Sequence, residues 1–336
     1  MRKKQPHSRV AGLLVWGVCY LICLSGCGGP FNSGFGSGAA AELIAKADEI
    51  VEEGLRDEDP RIRASAIEVV AETRRMGFMP AVQRLLTDDF VPVRFAAVMV
   101  VADTAYVLAE PSVRTLLRDP DENIRIAAAY CLSRLGDGSY LRLIRRAVKS
   151  KDQTVRANAV MLLGKNGDKG YLRLVYWAMR DTDSADKVRF QAAEAAARLG
   201  DEKIYAKLWA MLISAYADDR VMGIRAMGAL GTVKARNALI TLLDDAVLEV
   251  RLAAAEQIGA LGDNSGEPEV LDVFTGKHTR KMNQAELERV NVLTALAIGQ
   301  IRTAKLTRFL PQLLGNKSKL VRLATAKAVF QCQKIQ

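Results

Sequence analysis

Residues 119–136 read DPDENIRIAAAYCLSRLG, and residues 150–167, 31 places on, read SKDQTVRANAVMLLGKNG. Both have an apolar residue and an arginine (Ile124-Arg125, Val155-Arg156), an alanine three places after the arginine and a glycine eleven after it. The pattern spreads in both directions. Ile62-Arg63, Val93-Arg94, Val188-Arg189, Asp219-Arg220, Val250-Arg251, Val290-Asn291 and Val321-Arg322 complete a series whose spacings are 31, 31, 31, 33, 31, 31, 40 and 31. A fixed period of this size is the mark of a repeat array. The two irregular spacings place insertions near residues 182–186 and 265–288.

Within each copy the register predicts a helix. The residue three after the arginine is always small: Ala66, Ala97, Ala128, Ala159, Ala192, Gly223, Ala254, Thr294 or Thr325. The residue seven after it is always apolar, from Val70 through Leu132 to Val329. Positions −1, +3 and +7 share one side of a helix, where a small residue lets the next copy approach closely. Gly136, Gly167, Gly200, Gly231 and Gly262 stand where the helix should end in a left-handed residue. Asp57, Asp88, Asp119, Asp183 and Asp245 stand in the preceding turns, placed to cap a helix or to pair with the repeated arginines as a structural ladder. A second helix follows each stop, as in residues 140–148. Neither helix can bury its apolar face alone, and stacking builds one continuous core.

This pattern resembles the short HEAT-like repeats of the bilin-lyase type over residues 41–336. The resemblance implies an all-α fold, a right-handed α-solenoid of about nine repeats of roughly 31 residues, with the second helix of each repeat on the concave face. Residues 41–56 match a second helix, so the array opens on half a repeat. It closes on the other half, residues 320–334, which leaves Val329 and Phe330 as an uncapped end.

The beginning of the chain has another character. Residues 1–26 carry Arg2, Lys3, Lys4 and Arg9 and no acid, followed by an uncharged, mostly apolar stretch from Ala11 to Leu24. A basic segment before a short apolar one is an export signal. Leu24-Ser-Gly-Cys27 resembles the lipobox of bacterial lipoproteins, which implies cleavage before Cys27 and lipidation of its thiol. Residues 27–40 then form the lipidated cysteine and a flexible Gly/Ser-rich tether of about 20 Å reach. The expected location is the cell envelope, membrane-attached through lipid, with Gly28 leaning towards the outer membrane. Removing the signal lowers the net charge from +10 to +6, so the basic composition is no argument for nucleic acid. Cys131 and Cys332, six repeats apart, are expected as buried free thiols.

Catalytic chemistry is sparsely provided. After the signal the only histidine is His278, read as a surface residue of the long insertion, and GxSxG, P-loop and CxxC motifs are absent. No metal or cofactor is expected. The His-Glu dipeptides that the di-iron deoxyhypusine hydroxylases use are also missing. A charge pattern points instead to binding. Three consecutive second helices, residues 140–151, 171–180 and 204–216, carry Arg142, Arg145, Arg146, Lys149, Lys151, Arg173, Arg180 and Lys207 without an acid, with Tyr176, Trp177 and Trp209 nearby. Aligned on Tyr140, Tyr171 and Tyr205, residues Arg142, Arg173 and Lys207 fall in one row. Such a surface suits an anionic partner. The function expected is a scaffold holding a protein or peptide, acidic if it meets this row. The alternatives are a bilin-lyase-like accessory factor or enzyme and a binder of an anionic polymer.

Overall fold

The computed structural model describes residues 37–276 and 278–333. The signal segment, Cys27 and most of the tether lie outside them. Residues Ser37–Ala40, expected within the tether, already belong to the first helix.

From α1 (Ser37–Gly54) the chain alternates long and short helices: α2 (Pro60–Thr73), α3 (Met79–Arg84), α4 (Val91–Thr104), α5 (Glu110–Thr115), α6 (Glu122–Arg134), α7 (Leu141–Ala147), α8 (Gln153–Asn166) and α9 (Leu172–Arg180). The pattern continues through α10 (Asp186–Arg198), α11 (Tyr205–Leu212), α12 (Ala217–Leu230), α13 (Val233–Ile240), α14 (Leu248–Ala260) and α15 (Glu267–Thr275). It ends with α16 (Gln284–Ile301), the short α17 (Ala304–Thr307) and α18 (Leu310–Leu314), and α19 (Lys319–Gln333). The described residues contain no strand. The protein is an all-helical α-solenoid, as its period requires.

Local chemistry sets the boundaries. Asp59, Asp121 and Asp152 accept hydrogen bonds from backbone N–H groups in the first turns of α2, α6 and α8, which would otherwise lack acceptors. Eleven places after the ladder position the backbone is left-handed in the first eight copies, whatever the residue. Gly167 has φ of +85°, and Ala105, in the same place two repeats earlier, has +51°. Tertiary packing thus imposes the stop even where the sequence lacks glycine.

The long helices pack side by side in order, α2 on α4 and so on to α16 on α19. All nine small positions are buried; Ala66, Ala97, Ala128, Ala159, Ala192 and Ala254 retain no accessible surface. Where threonine replaces alanine, at Thr294 and Thr325, the hydroxyl donates to the carbonyl four residues back, so no polar group is stranded. The arginine ladder is present in part: Arg156 pairs with Asp181 at 2.7 Å and not with the expected Asp183, and among the described residues Arg125 donates only to the turn carbonyls of Asp119 and Pro120. Arg63 donates through two nitrogens to the carboxylate of Asp88 at 2.7 and 2.8 Å, and Arg94 does the same to Asp119. Each also donates to turn carbonyls of its own repeat, Arg63 to Asp57 and Arg94 to Asp88.

The two half-repeats meet. Helix α19 packs against both α1 and α2, so α1 serves as the missing second helix of the last repeat and the solenoid closes into a ring. Lys319 donates to Asp57 across this seam at 2.6 Å, taking the place of the ladder arginine. Val329 and Phe330 are buried, and Arg75 stacks over the Phe330 ring at 4.3 Å, so they form an internal joint rather than an open end. Closure also corrects the expected placement of the second helices. Long helices far apart in sequence face one another, Lys165 of α8 pairing with Asp103 of α4 and Glu68 of α2 lying near Arg225 of α12, so the long helices enclose the centre and the short ones form the outside.

Candidate functional site

The outside of the ring holds the basic helices. A capping aspartate opens each: Asp137 before α7, Asp168 before α9 and Asp201 before α11, with side chains accepting from the N–H two residues on. These caps give the structural register, in which Ile204, and not Tyr205, is the counterpart of Tyr140 and Tyr171. The row that contains Arg142 and Arg173 therefore continues to Ala206. Lys207 is exposed but stands one place off the row.

From those caps the outward stripe follows helical spacing. On α7 and the turn after it are Arg142, Arg145, Arg146 and Lys149, all exposed. On α9 the matching places hold Arg173, Tyr176, Trp177 and Arg180, and on α11 and its end Ala206, Trp209, Ala210 and Ile213. The stripe thus runs from wholly cationic, through mixed cationic and aromatic, to apolar. Trp177 and Trp209 are each 38% exposed and Ile213 is 67% exposed.

Contacts tie the three helices together. Lys149 lies 5.6 Å from the centre of the Trp177 ring and Arg156 lies 5.7 Å from it. Arg180 lies 5.3 Å from the Tyr176 ring. The Tyr176 hydroxyl donates to Asp201 at 2.7 Å, joining α9 to the cap of α11. Desolvation, with that hydrogen bond, pushes Tyr176 up to about 12, so it stays a neutral donor. Tyr205 stacks on Trp209 and holds Lys234 at 4.0 Å from its own ring. These aromatics pack between repeats and still present part of their surface outward.

A second constellation lies in the centre and was not legible beforehand. Lys327 of α19 pairs with Glu72 of α2 at 2.6 Å, with both side chains buried. Burial opposes the charge of Lys327, but Glu72, Glu68 and Glu256 outweigh it and raise its pKa. Burial, and then the adjacent Glu72 carboxylate, push Glu68 up to about 8. Glu256 on α14 is raised by the same burial. Glu194 goes the other way: its burial is outweighed by Arg225 and Arg198, which lower its pKa. Lys165 on α8 reaches past α6 to Asp103 on α4 at 2.7 Å. Most of these residues, Glu68, Glu194, Arg225, Glu256 and Lys327, share the place five after the ladder position. Charges at a single helical position on otherwise apolar helices were the signal available in the sequence. Every positive group is matched by acids, so the cluster locks long helices to one another. Among the described residues no group of three or more His, Cys, Asp or Glu could hold a metal ion. Cys131 and Cys332 are buried and unpaired, and burial pushes both thiols up to about 12. His278 lies in a short 3₁₀ turn.

Comparison with known proteins adds the repeat class. A family model of HEAT repeats matches residues 78–150 and 140–222, and these stretches are HEAT repeats. No curated protein matches the chain. Among solved structures it is similar to the CpcE–CpcF complex of phycocyanin lyase from Nostoc sp., with 18% identity over 74% of this chain and 93% of that one and a TM-score of 0.44. It is also similar to human deoxyhypusine hydroxylase, with 16% identity over 89% of this chain and 99% of that one and a TM-score of 0.36. The karyopherin Kap121p gives 14% identity over 83% of this chain and 37% of that one, with a TM-score of 0.36. At these identities the likeness is one of helical-repeat fold.

Proposed function

We propose that the protein is a lipid-anchored scaffold of the bacterial cell envelope that binds a protein or peptide partner on the outside of its ring. The observation that carries this is the outward stripe of α7, α9 and α11. Six exposed basic residues stand there (Arg142, Arg145, Arg146, Lys149, Arg173 and Arg180), exposed Lys207 lies one place beside it, and the three helices contain no acid. Like charges held this close repel, and at physiological salt the screening length of about 8 Å, near the spacing of adjacent helices, leaves part of the repulsion. An anionic partner removes that cost. The lipid anchor rests on residues 24–27 and on the basic and apolar segments before them. The partner's side of the proposal rests on the exposed stripe alone, and fold carries no function by itself.

Two measurements test this reading. Metabolic labelling with a fatty-acid analogue should mark the native chain and not Cys27→Ser; equal labelling rejects the anchor. Cross-linking in intact envelopes, followed by mass spectrometry, should recover a partner with the native chain. The Arg145→Glu, Arg146→Glu double variant should lose it with its melting temperature nearly unchanged. Retention of the same partner by the double variant rejects the stripe as the binding surface.

A further inference from the structure

The stripe has a direction, and the ring gives it a position. Reading around the outside from the seam, the second-helix places are α1, α3, α5, α7, α9, α11, α13, α15 and the α17–α18 pair. Helices α9 and α11 therefore stand halfway round from α1, where the preceding chain enters. With neighbouring helices about 8–10 Å apart, the stripe is tens of Å from that entry point.

The chemistry of the stripe is graded in the other dimension. At one end Arg145 and Arg146 offer guanidinium forks that match carboxylates in pairs. In the middle Tyr176 and Trp177 lie beside Arg180 and Lys149. At the far end Trp209 and Ile213 offer apolar surface with no cation in the matching places. A uniform polyanion satisfies only the first end. Resting here on the outer stripe being the binding surface, we infer that its ligand is a polypeptide segment in which a run of acidic residues is followed by aromatic or aliphatic ones, the acids over α7 and the apolar part over α11.

The test uses the full chain with Cys27→Ser and three synthetic peptides: an acidic block joined to an apolar block, the same composition with the two kinds alternating, and polyglutamate. The block peptide should bind at least about tenfold more tightly than either of the others, since two anchors add where one does not. Arg145→Glu with Arg146→Glu should weaken it about tenfold or more, and so should Trp209→Ala or the milder Ile213→Ser. A photo-cross-linker on its acidic end should mark α7, and one on its apolar end should mark α11. Equal binding of the alternating peptide or of polyglutamate overturns the inference, as does failure of the block peptide to bind. Binding of phosphatidylglycerol vesicles with the same dependence on Trp209 and Ile213 overturns it in favour of a lipid surface. If the envelope partner still depends on Arg145 and Arg146 while the block peptide has no advantage, only the graded ligand fails. If partner capture is indifferent to both arginines, the outer-face reading fails with it.

Discussion

Glu68 sets the pH behaviour of the core. Its carboxyl ionises at about 8 in the folded chain, against an ordinary value of 4.5. Between those values the unfolded chain gives up the proton and the folded chain keeps it, so the unfolded state binds fewer protons and stability falls as pH rises. The slope reaches about 1.4 kcal/mol per pH unit and flattens above about pH 8, where both states are ionised. Glu68→Gln, uncharged and nearly isosteric, should remove most of this slope and make the protein more stable than the native chain at pH 8. Urea denaturation at pH 5 and pH 8 measures it, and an unchanged slope in the variant would mean that Glu68 ionises normally. Nothing in residues 60–73 alone marks Glu68 as unusual, because an isolated helix would leave it in water. Its surroundings come from Glu72 four residues on and from Lys327 and Arg225, far away in sequence.

At the scale of helices, the contact that sets the packing distance is small-residue contact between long neighbours. A Cβ built on Gly164 of α8 would lie 2.8 Å from both the Cα and the Cβ of Ala195 on α10. Alanine in place of glycine gains about 1 kcal/mol of helix propensity. Overpacking against a backbone atom costs about 1–3 kcal/mol and should win. Gly164→Ala is therefore expected to lower stability in thermal or chemical unfolding, and a stabilised variant would show that the two helices separate at little cost. The repeat period already announced this layer through its alanines, since a residue that must be small in every copy marks a close approach. The outward stripe was less legible. The sequence shows its basic residues, but aligning the copies on Tyr140, Tyr171 and Tyr205 sets the third helix one place off the register that the capping aspartates Asp137, Asp168 and Asp201 fix. Side-chain resemblance drifts between repeats, whereas a cap must stand at a fixed distance from the first turn it serves.

For the whole molecule the decisive feature is the seam. An open solenoid carries two exposed ends, and each repeat depends only on its neighbours. Here α19 is covered by α1 and α2, and the Lys327–Glu72 pair is buried within that joint. Lys327→Met leaves Glu72 without its buried ion-pair partner and should cost roughly 3–5 kcal/mol. The loss should start at the joint: amide hydrogens of α1 and α19 should exchange faster before those of α8 and α10 change. Uniform loss of protection around the ring would show instead that the repeats unfold as one unit and that the seam is no weaker than any other interface.

The sequence by itself determined the repeat length, the two-helix unit, the buried small positions, the arginine ladder and the half-repeat at each end. All of these follow from local periodicity, which 31-residue spacing makes visible. Only the tertiary structure decided that the halves join, and with that which helices face the centre and which face out. The reason is physical: curvature is a small rotation accumulated over nine interfaces, and no single repeat encodes its sum. The same closure gathers Glu68, Arg225 and Glu256 from three separate repeats around the buried Lys327 of a fourth, and turns the basic helices from an expected inner groove into an outer face.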